Sequence, residues 1–247
     1  MRENLATLRE GKLDHVDLSF VIPALNEESV ICTTLNQIPL RKIRNRGMNC
    51  EVVVVDNASE DRTGEIARKW GATVVLEKNR GYGNAYLRGY SEARGEIIVM
   101  FDADGTYPVE NSLHLIRPLL NGEADIVIGS RLRGKILPGA MPFVHKIGNR
   151  ILTFILNMLF GMRISDAHSG FRAFRRKAIL DLGLQSPGME FASEIIIKSA
   201  EKRLKITEIP ITYRPRLGSP PKLHTLRDGW RHLIFMLKER FGKPKSK

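Results

Sequence analysis

An open α/β fold, a mostly parallel sheet flanked by helices, is what this sequence predicts, and three observations predict it. Short β-branched runs alternate with stretches of helical period, the runs are apolar throughout, and polar residues collect just after them. Strands that are apolar on both faces belong in a parallel sheet covered on both sides by helices. The chain has 247 residues, 43% of them hydrophobic. That suffices for a buried core, excludes disorder of the whole chain, and suits one domain, or one domain with an appended subdomain.

Taken in order, residues 18–22 form a strand, 28–38 a helix, 52–55 a strand, 63–70 a helix and 73–76 a strand. A helix over 84–93, a strand over 97–101, a helix over 109–120 and a strand over 126–128 follow. Beyond residue 131 the pattern changes. Residues 144–160 make an amphipathic helix, with Lys146, Arg150, Thr153 and Asn157 at intervals of three and four and a broad apolar side. A short strand over 171–174, helices over 177–182 and 193–202, and a strand over 205–213 come next. The chain closes on a basic amphipathic helix, 226–241, that combines Trp230, Leu233, Ile234 and Leu237 with Arg227, Arg231 and Lys238. No internal repeat is found, and the lysine-rich tail 243–247 is expected to fray. The expected division is an extension over 1–16, a domain over 17–225 with halves 17–130 and 131–225, and a C-terminal helix and tail over 226–247.

The formal charge is +12, but it is unevenly placed. Residues 1–130 hold 15 basic and 19 acidic side chains, 131–180 hold 10 and 1, 181–213 hold 4 and 5, and 214–247 hold 10 and 2. A uniformly basic nucleic-acid coat does not fit this map, so no nucleic-acid partner is expected. Cys32 and Cys50 have neither framework nor metal-ligand spacing and read as reduced thiols of a cytosolic protein. The start is too polar for a signal peptide, and the longest uncharged apolar run, 151–162, falls short of the roughly 20 residues that span a bilayer. Any membrane attachment is expected to be peripheral.

In open α/β sheets, ligands bind beyond the carboxyl ends of the strands. Asp102-Ala103-Asp104 stands at such an end, on a turn beside Gly105. Two carboxylates one residue apart can share a hard divalent cation and leave its other positions to substrate oxygens, a diphosphate being the natural further ligand. Asp56 can accept from the N–H edge of a nucleobase, or the Asp56–Ser59 turn can cap the next helix. Asn26 and Glu27 can likewise cap the first helix or touch a ribose or base. Gly81-Tyr82-Gly83-Asn84-Ala85-Tyr86 begins like a dinucleotide fingerprint, yet Tyr86 occupies the third glycine position and the motif follows the third strand, which rejects a nicotinamide or flavin enzyme. Its glycines allow close approach to a ligand or simply shape a loop.

The ordered motifs PALNE (23–27), VVVDNASEDRT (53–63), NRGYGNA (79–85), FDADGTYP (101–108), GSR (129–131) and DAHSGFRAFRR (166–176) resemble family 2 glycosyltransferases of the Rossmann-like GT-A fold, and within them the dolichyl-phosphate mannose/glucose synthase group. The resemblance covers roughly residues 17–225. It implies that Pro23, Leu25, Glu27, Val55, Asp56 and Asn57 line a nucleoside pocket. It also implies that Asp102, Ala103 and Asp104 hold Mg2+ or Mn2+ on the diphosphate of a UDP- or GDP-linked sugar, with Arg131 positioning phosphates at the reacting centre. By the same resemblance, 166–171 is a loop near the acceptor, which brings in Ser169, and 216–223 is a mobile basic loop whose Arg216 and Lys222 contact the diphosphate. Two departures stand out: Asn57 where relatives often have a second Asp, and Thr106 in place of a glutamine that completes some metal shells.

A phosphate monoester, with a second pKa of about 6, arrives ionised and needs cationic positioning rather than a general base. Arg131, Arg133, Lys146, Arg150, Arg172, Arg175 and Arg176 supply such positioning for a phosphate and an anionic surface together. The expected activity is therefore inverting transfer of a hexose or N-acetylhexosamine to a polyprenyl (dolichyl-type) phosphate on the cytoplasmic face of a membrane. The two amphipathic helices either rest on that membrane or pack on the sheet or at a homodimer contact. Transfer to a soluble or polysaccharide hydroxyl is the alternative. It requires a base such as Glu190, Glu194 or Asp166, of which Glu190 and Glu194 otherwise read as surface charges. A basic protein that binds membrane or nucleic acid without catalysis is the non-enzymatic reading.

Overall fold

A computed structural model describes residues 15–218 and 225–242. One seven-stranded sheet runs through both halves of the expected domain: β1 (Leu18–Ala24), β2 (Cys50–Asp56), β3 (Thr73–Leu76), β4 (Ile97–Met100), β5 (Ile126–Ile136), β6 (Arg172–Arg175) and β7 (Ile206–Tyr213). The order is β3-β2-β1-β4-β6-β5-β7. Pairing is parallel except for β6, which is antiparallel to β4 and β5. The chain steps outward from β1 through β2 to β3, then returns to place β4 on the other side of β1. The strand order thus reverses at β1, and the carboxyl ends of β2, β1 and β4 open beside one another there.

Nine helices cover the sheet among the described residues: α1 (Ile31–Asn36), α2 (Leu40–Arg44), α3 (Thr63–Trp70), α4 (Tyr82–Glu92), α5 (Ser112–Leu120), α6 (Phe143–Phe160), α7 (Arg176–Asp181), α8 (Phe191–Glu201) and α9 (Thr225–Phe241). The period-2 alternation of the strands divides the core. Leu18, Phe20 and Ile22 of β1 and Val99 of β4 join Ile31, Leu35 and Leu115 on one face. Val21, Ile98 and Met100 join Tyr86, Tyr90, Ile195 and Met236 on the other.

Most element boundaries match the sequence expectation to within about two residues. The helix expected over 28–38 shrinks to α1, and a second short helix, α2, follows Pro39, where the chain must leave the first helical path. Residues 109–120 divide into a 3-10 turn, Val109–Asn111, and α5. The strand expected over 126–128 continues to Ile136 because it pairs with β7 on either side of an irregularity between Ser130 and Lys135. Its outer half is polar and exposed, so no apolar run marks it.

The two amphipathic helices pack on each other and on α8. Their outer faces remain bare: Phe143, Phe154 and Met158 of α6 and Trp230 and Phe241 of α9 are each more than half exposed. Inside this packing, the His168 Nε2 and Ser193 Oγ lie 3.1 Å apart, and Ser193 Oγ and His232 Nδ1 2.8 Å apart. The two imidazoles meet edge to face at 4.5 Å. Burial lowers the pKa of His232 to about 4, against the opposing pull of Glu190 and Asp228 and with help from Arg231 and Arg172. Burial, followed by His232 itself, also lowers His168.

A histidine held neutral in the fold takes up its proton on unfolding, so the unfolded chain binds more protons between pH 4 and 6.5. Stability is fully present above that window and is lost as pH falls through it. For His232 the loss approaches about 3 kcal/mol. Urea unfolding of His232→Gln at pH 7.5 and 4.5 should show a correspondingly shallower acid loss than the wild type. An identical slope would exclude this origin.

Candidate active site

The loops after β1 and β2 brace one another. Asn26 and Ala58 take φ of 51° and 59°, a left-handed region that residues with a Cβ seldom enter. Cross-bonds hold them there: the Asn26 N–H donates to Ser59 Oγ at 3.1 Å, the Glu60 N–H to Asn26 Oδ1 at 2.8 Å, and the Glu27 N–H to Thr63 Oγ1 at 2.8 Å. Asp56 Oδ1 accepts from the Ser59 N–H at 2.9 Å. Its other oxygen stands over Gly64, where a Cβ would come within 2.5 Å of it.

Pro23, at the end of β1, and the Leu25 that follows it are partly buried, and with Glu27 and Asp56 they gather at this strand end. Two other residues expected in the nucleoside pocket have internal roles. Val55 is fully buried beneath Gly89 of α4. The Asn57 amide donates to the carbonyls of Glu77 and Asn79 and accepts from the Gly81 N–H, so its side chain is a clamp for the loop before α4. Gly81 and Gly83 admit the backbone of Ser186 and Pro187, since added Cβ atoms would lie 2.3 Å from the Pro187 carbonyl and 1.9 Å from that of Ser186. The close approach is to protein, not to a ligand.

Asp102 and Asp104 occupy the turn after β4. The Tyr86 hydroxyl, at the position that broke the glycine fingerprint, donates to Asp102 Oδ1 at 3.3 Å. Loss of hydration, and next the Asp104 charge, push the Asp102 pKa up to about 7. Asp104 Oδ1 accepts from the Thr106 N–H at 3.1 Å and from its hydroxyl at 2.7 Å. Thr106 therefore orients the carboxylate from within the turn. Ala103 is buried, and its carbonyl accepts from Thr34 of α1 at 2.8 Å. Arg216 Nη1 donates to Asp104 Oδ2 at 2.6 Å, and Nη2 donates to Glu27 Oε1. One guanidinium thus links the turn after β4 to the loop after β1.

This donor set fits a divalent cation: hard oxygens, burial and mutual repulsion that raise one carboxyl, and a guanidinium already drawn to the other. Among the described residues, no cluster of three or more His, Cys, Asp or Glu side chains is placed to hold a metal. Two carboxylates alone are the pattern of a site whose shell is completed by substrate phosphates and water.

Arg131 and Asp166 form a buried pair beside the aspartates. Nη2 reaches Oδ1 at 2.7 Å, and Nε and the backbone N–H both reach Oδ2, at 2.8 and 2.9 Å. The Asp166 carboxyl is held below the usual range: burial raises it, but the Arg131 charge and hydrogen bonds outweigh that rise. Arg131 also stands 5.3 Å from the Tyr213 ring centroid and is near enough to act electrostatically on Asp102. Ser169, expected at the acceptor phosphate, is fully buried and donates to the Gly129 carbonyl at 2.6 Å, fastening its loop to β5.

Arg172 corrects the charge reading outright. It is fully buried and donates to the carbonyls of Ser169, Ala167 and Ala192. Arg175 and Arg176 likewise donate to the carbonyls of Leu119 and Ala93. Arg150 is exposed on α6. Lys222 lies outside the described residues. Glu190 and Glu194, read as surface charges, are buried. Glu194 accepts from the N–H groups of Gln185 and Ser186 and pairs with Lys198 at 2.7 Å, whereas Glu190 lies 3.4 Å from Arg231.

The family model described as Glycosyl transferase family 2 matches residues 19–183. The low-salt glycan biosynthesis hexosyltransferase Agl6 of Haloferax volcanii is 46% identical over 221 residues, 89% of this chain but 53% of that protein, so the chain spans about half its length. The dolichyl-phosphate hexose transferase of the same organism is 36% identical over 205 residues, covering 82% of this chain and 85% of that one. In three dimensions, glucosyl-3-phosphoglycerate synthase from Mycobacterium tuberculosis, solved with Mn2+, UDP and glucosyl-3-phosphoglycerate, aligns with a TM-score of 0.71 at 26% identity over 98% of this chain and 85% of that one. With the strand-end aspartates on a GT-A sheet, these likenesses show that the chain belongs to glycosyl transferase family 2.

Proposed function

We propose that the protein transfers a hexose or N-acetylhexosamine, with inversion, from a UDP- or GDP-linked sugar to a polyprenyl phosphate at a membrane surface. The observation that carries the choice of acceptor is the state of the carboxylates that a hydroxyl acceptor needs as a base. Asp166 is locked by three hydrogen bonds to Arg131, Glu194 by backbone N–H groups and Lys198, and Glu190 faces Arg231. An acceptor that arrives ionised needs none of them. The names of relatives lend support. Besides the dolichyl-phosphate hexose transferase, a UDP-N-acetylglucosamine–dolichyl-phosphate N-acetylglucosaminyltransferase of Methanococcus voltae is 30% identical over 214 residues, 77% of this chain and 83% of that one.

In this mechanism Asp102 and Asp104 hold Mg2+ or Mn2+, which supplies positive charge to the leaving diphosphate. Glu27 and Asp56 face the nucleoside from the ends of β1 and β2. Arg216 and Lys222 take the diphosphate oxygens, and Arg131, fixed by Asp166, presents positive charge where the attacking phosphate meets C1. Arg150 and the exposed apolar faces of α6 and α9 meet the lipid surface as interfacial helices. No helix of the described residues is long and apolar enough to cross a membrane. The free thiols of Cys32 and Cys50 support placement on a cytoplasmic face.

Asp104→Ala should stay folded by circular dichroism and lose transfer by at least about a hundredfold, the scale of removing one electrostatic stabiliser. Mass spectrometry of products from a panel of UDP- and GDP-sugars, with polyprenyl phosphate, phosphoglyceric acid or a soluble sugar as acceptor, should show glycolipid. Product only on a soluble hydroxyl would reverse the assignment. Asp166→Ala strands a buried guanidinium and should cost about 3–5 kcal/mol in urea unfolding. A fully stable variant would refute the locked-pair account and return Asp166 to the list of candidate bases. Sedimentation with anionic vesicles should bind the protein at low salt and release much of it as salt rises. Equal binding to neutral vesicles would remove the cationic part of the docking.

A further inference from the structure

The guanidinium of Arg216 sits where a metal would approach. Asp104 Oδ1 is already engaged by the Thr106 N–H and hydroxyl, which leaves Oδ2, and Arg216 Nη1 holds Oδ2 at 2.6 Å while Nη2 holds Glu27. The segment that carries Arg216 is bonded to the same turn by its backbone. The Arg214 N–H donates to the Thr106 carbonyl and the Leu217 N–H to the Asp104 carbonyl, both at 3.0 Å. Leu217 lies over Gly105, where an added Cβ would stand 2.9 Å from its Cδ1. Gly218 abuts the residues before α1, and a Cβ there would stand 2.9 Å from Ser29 Oγ. Residues 214–218 therefore form a strap across the mouth of the site, pinned at its centre by a charge. Only about a quarter of the Arg216 side chain is exposed and less than a tenth of Asp104 and Glu27, so solvent screens this linkage weakly.

We propose that Arg216 is a built-in counter-cation of the aspartate turn, which a divalent ion displaces from Asp104, so that metal loading releases the strap. This rests on the metal and nucleotide reading above. Two cations at one carboxylate oxygen repel, so ion and guanidinium compete for Oδ2. A diphosphate resolves the competition, because its oxygens serve the metal and accept the released guanidinium in bidentate fashion. Metal and nucleotide then strengthen one another's binding by the same factor, as linkage requires. Arg216 thus has two successive partners: carboxylates before loading and phosphates after it.

The test is a Mn2+ titration of the full chain without nucleotide, read by electron paramagnetic resonance. Arg216→Gln should bind Mn2+ about tenfold tighter than the wild type, within the usual range of coupling between sites, and Arg216→Lys should fall between them, keeping the charge but not the fork. Arg214→Gln removes an equal charge from the same strap, where it pairs with Glu110, and should change affinity less than about twofold. Mn2+ alone should also speed hydrogen exchange at the Leu217 amide of the wild type. Equal affinities for wild type and Arg216→Gln would overturn the proposal, as would equal tightening by Arg214→Gln, which would mark general electrostatics. No Mn2+ binding by the wild type even with UDP or GDP would overturn the metal reading itself.

Discussion

Two carboxylates one residue apart at the end of a buried strand repel each other, and the candidate site is organised around that repulsion. Burial, followed by the Asp104 charge, raises the Asp102 carboxyl, while Thr106 donates to one oxygen of Asp104 and Arg216 to the other. The sheet makes the arrangement unavoidable. Where the strand order reverses at β1, the turn after β4 and the loops after β1 and β2 open side by side, so Asp102, Asp104, Glu27 and Asp56 converge there, and the one cation on those segments, Arg62, pairs with Glu28. The compensating charge comes from after β7, far along the chain.

That distance explains what the sequence could and could not reveal. Strands buried on both faces leave apolar runs, so β1, β2 and β4 were legible nearly to the residue, and the aspartates stood out as polar groups directly after one such run. The outer half of β5 was not legible, because its only reason to be extended is a partner strand some eighty residues later. Asn57 shows the same limit at side-chain scale. The resemblance placed it in the nucleoside pocket, but its carbonyl partners lie 20 and 22 residues on. The bridge from Arg216 to Asp104 and Glu27 spans 112 and 189 residues. A family motif marks such an arginine as functional without disclosing what it touches when no substrate is present.

Buried polar groups were the most consistent omission, for a physical reason. A guanidinium is placed inside only when several acceptors converge on it, as the carbonyls of Ser169, Ala167 and Ala192 do on Arg172, and no local pattern encodes that convergence. The Ser193 hydroxyl between His168 and His232 is of the same kind. Both hold the 166–171 loop: Arg172 bonds its Ala167 and Ser169 carbonyls, and Ser193 bonds its His168. The loop is thus fixed by buried polar groups that no local pattern marks.

The charge map changes meaning accordingly. The excess of basic residues between 131 and 180 suggested a surface that attracts phosphate and anionic lipid, yet Arg131, Arg172, Arg175 and Arg176 turn inward to carboxylate or carbonyl partners. What remains outward, including Arg133, Lys135, Arg150, Arg163 and Lys177, is a smaller and more scattered set. Scattered cations steer an anionic surface at long range but fix no geometry, because an exposed pair contributes little once salt screens it. A phosphate held for in-line attack needs a cation that does not move. Arg131, clamped by Asp166 and flanked by Tyr213, has that rigidity, whereas Arg150 does not. In the proposed transfer the inner arginine is therefore the one suited to the chemistry, and the outer ones, with the bare apolar faces of α6 and α9, to the membrane surface.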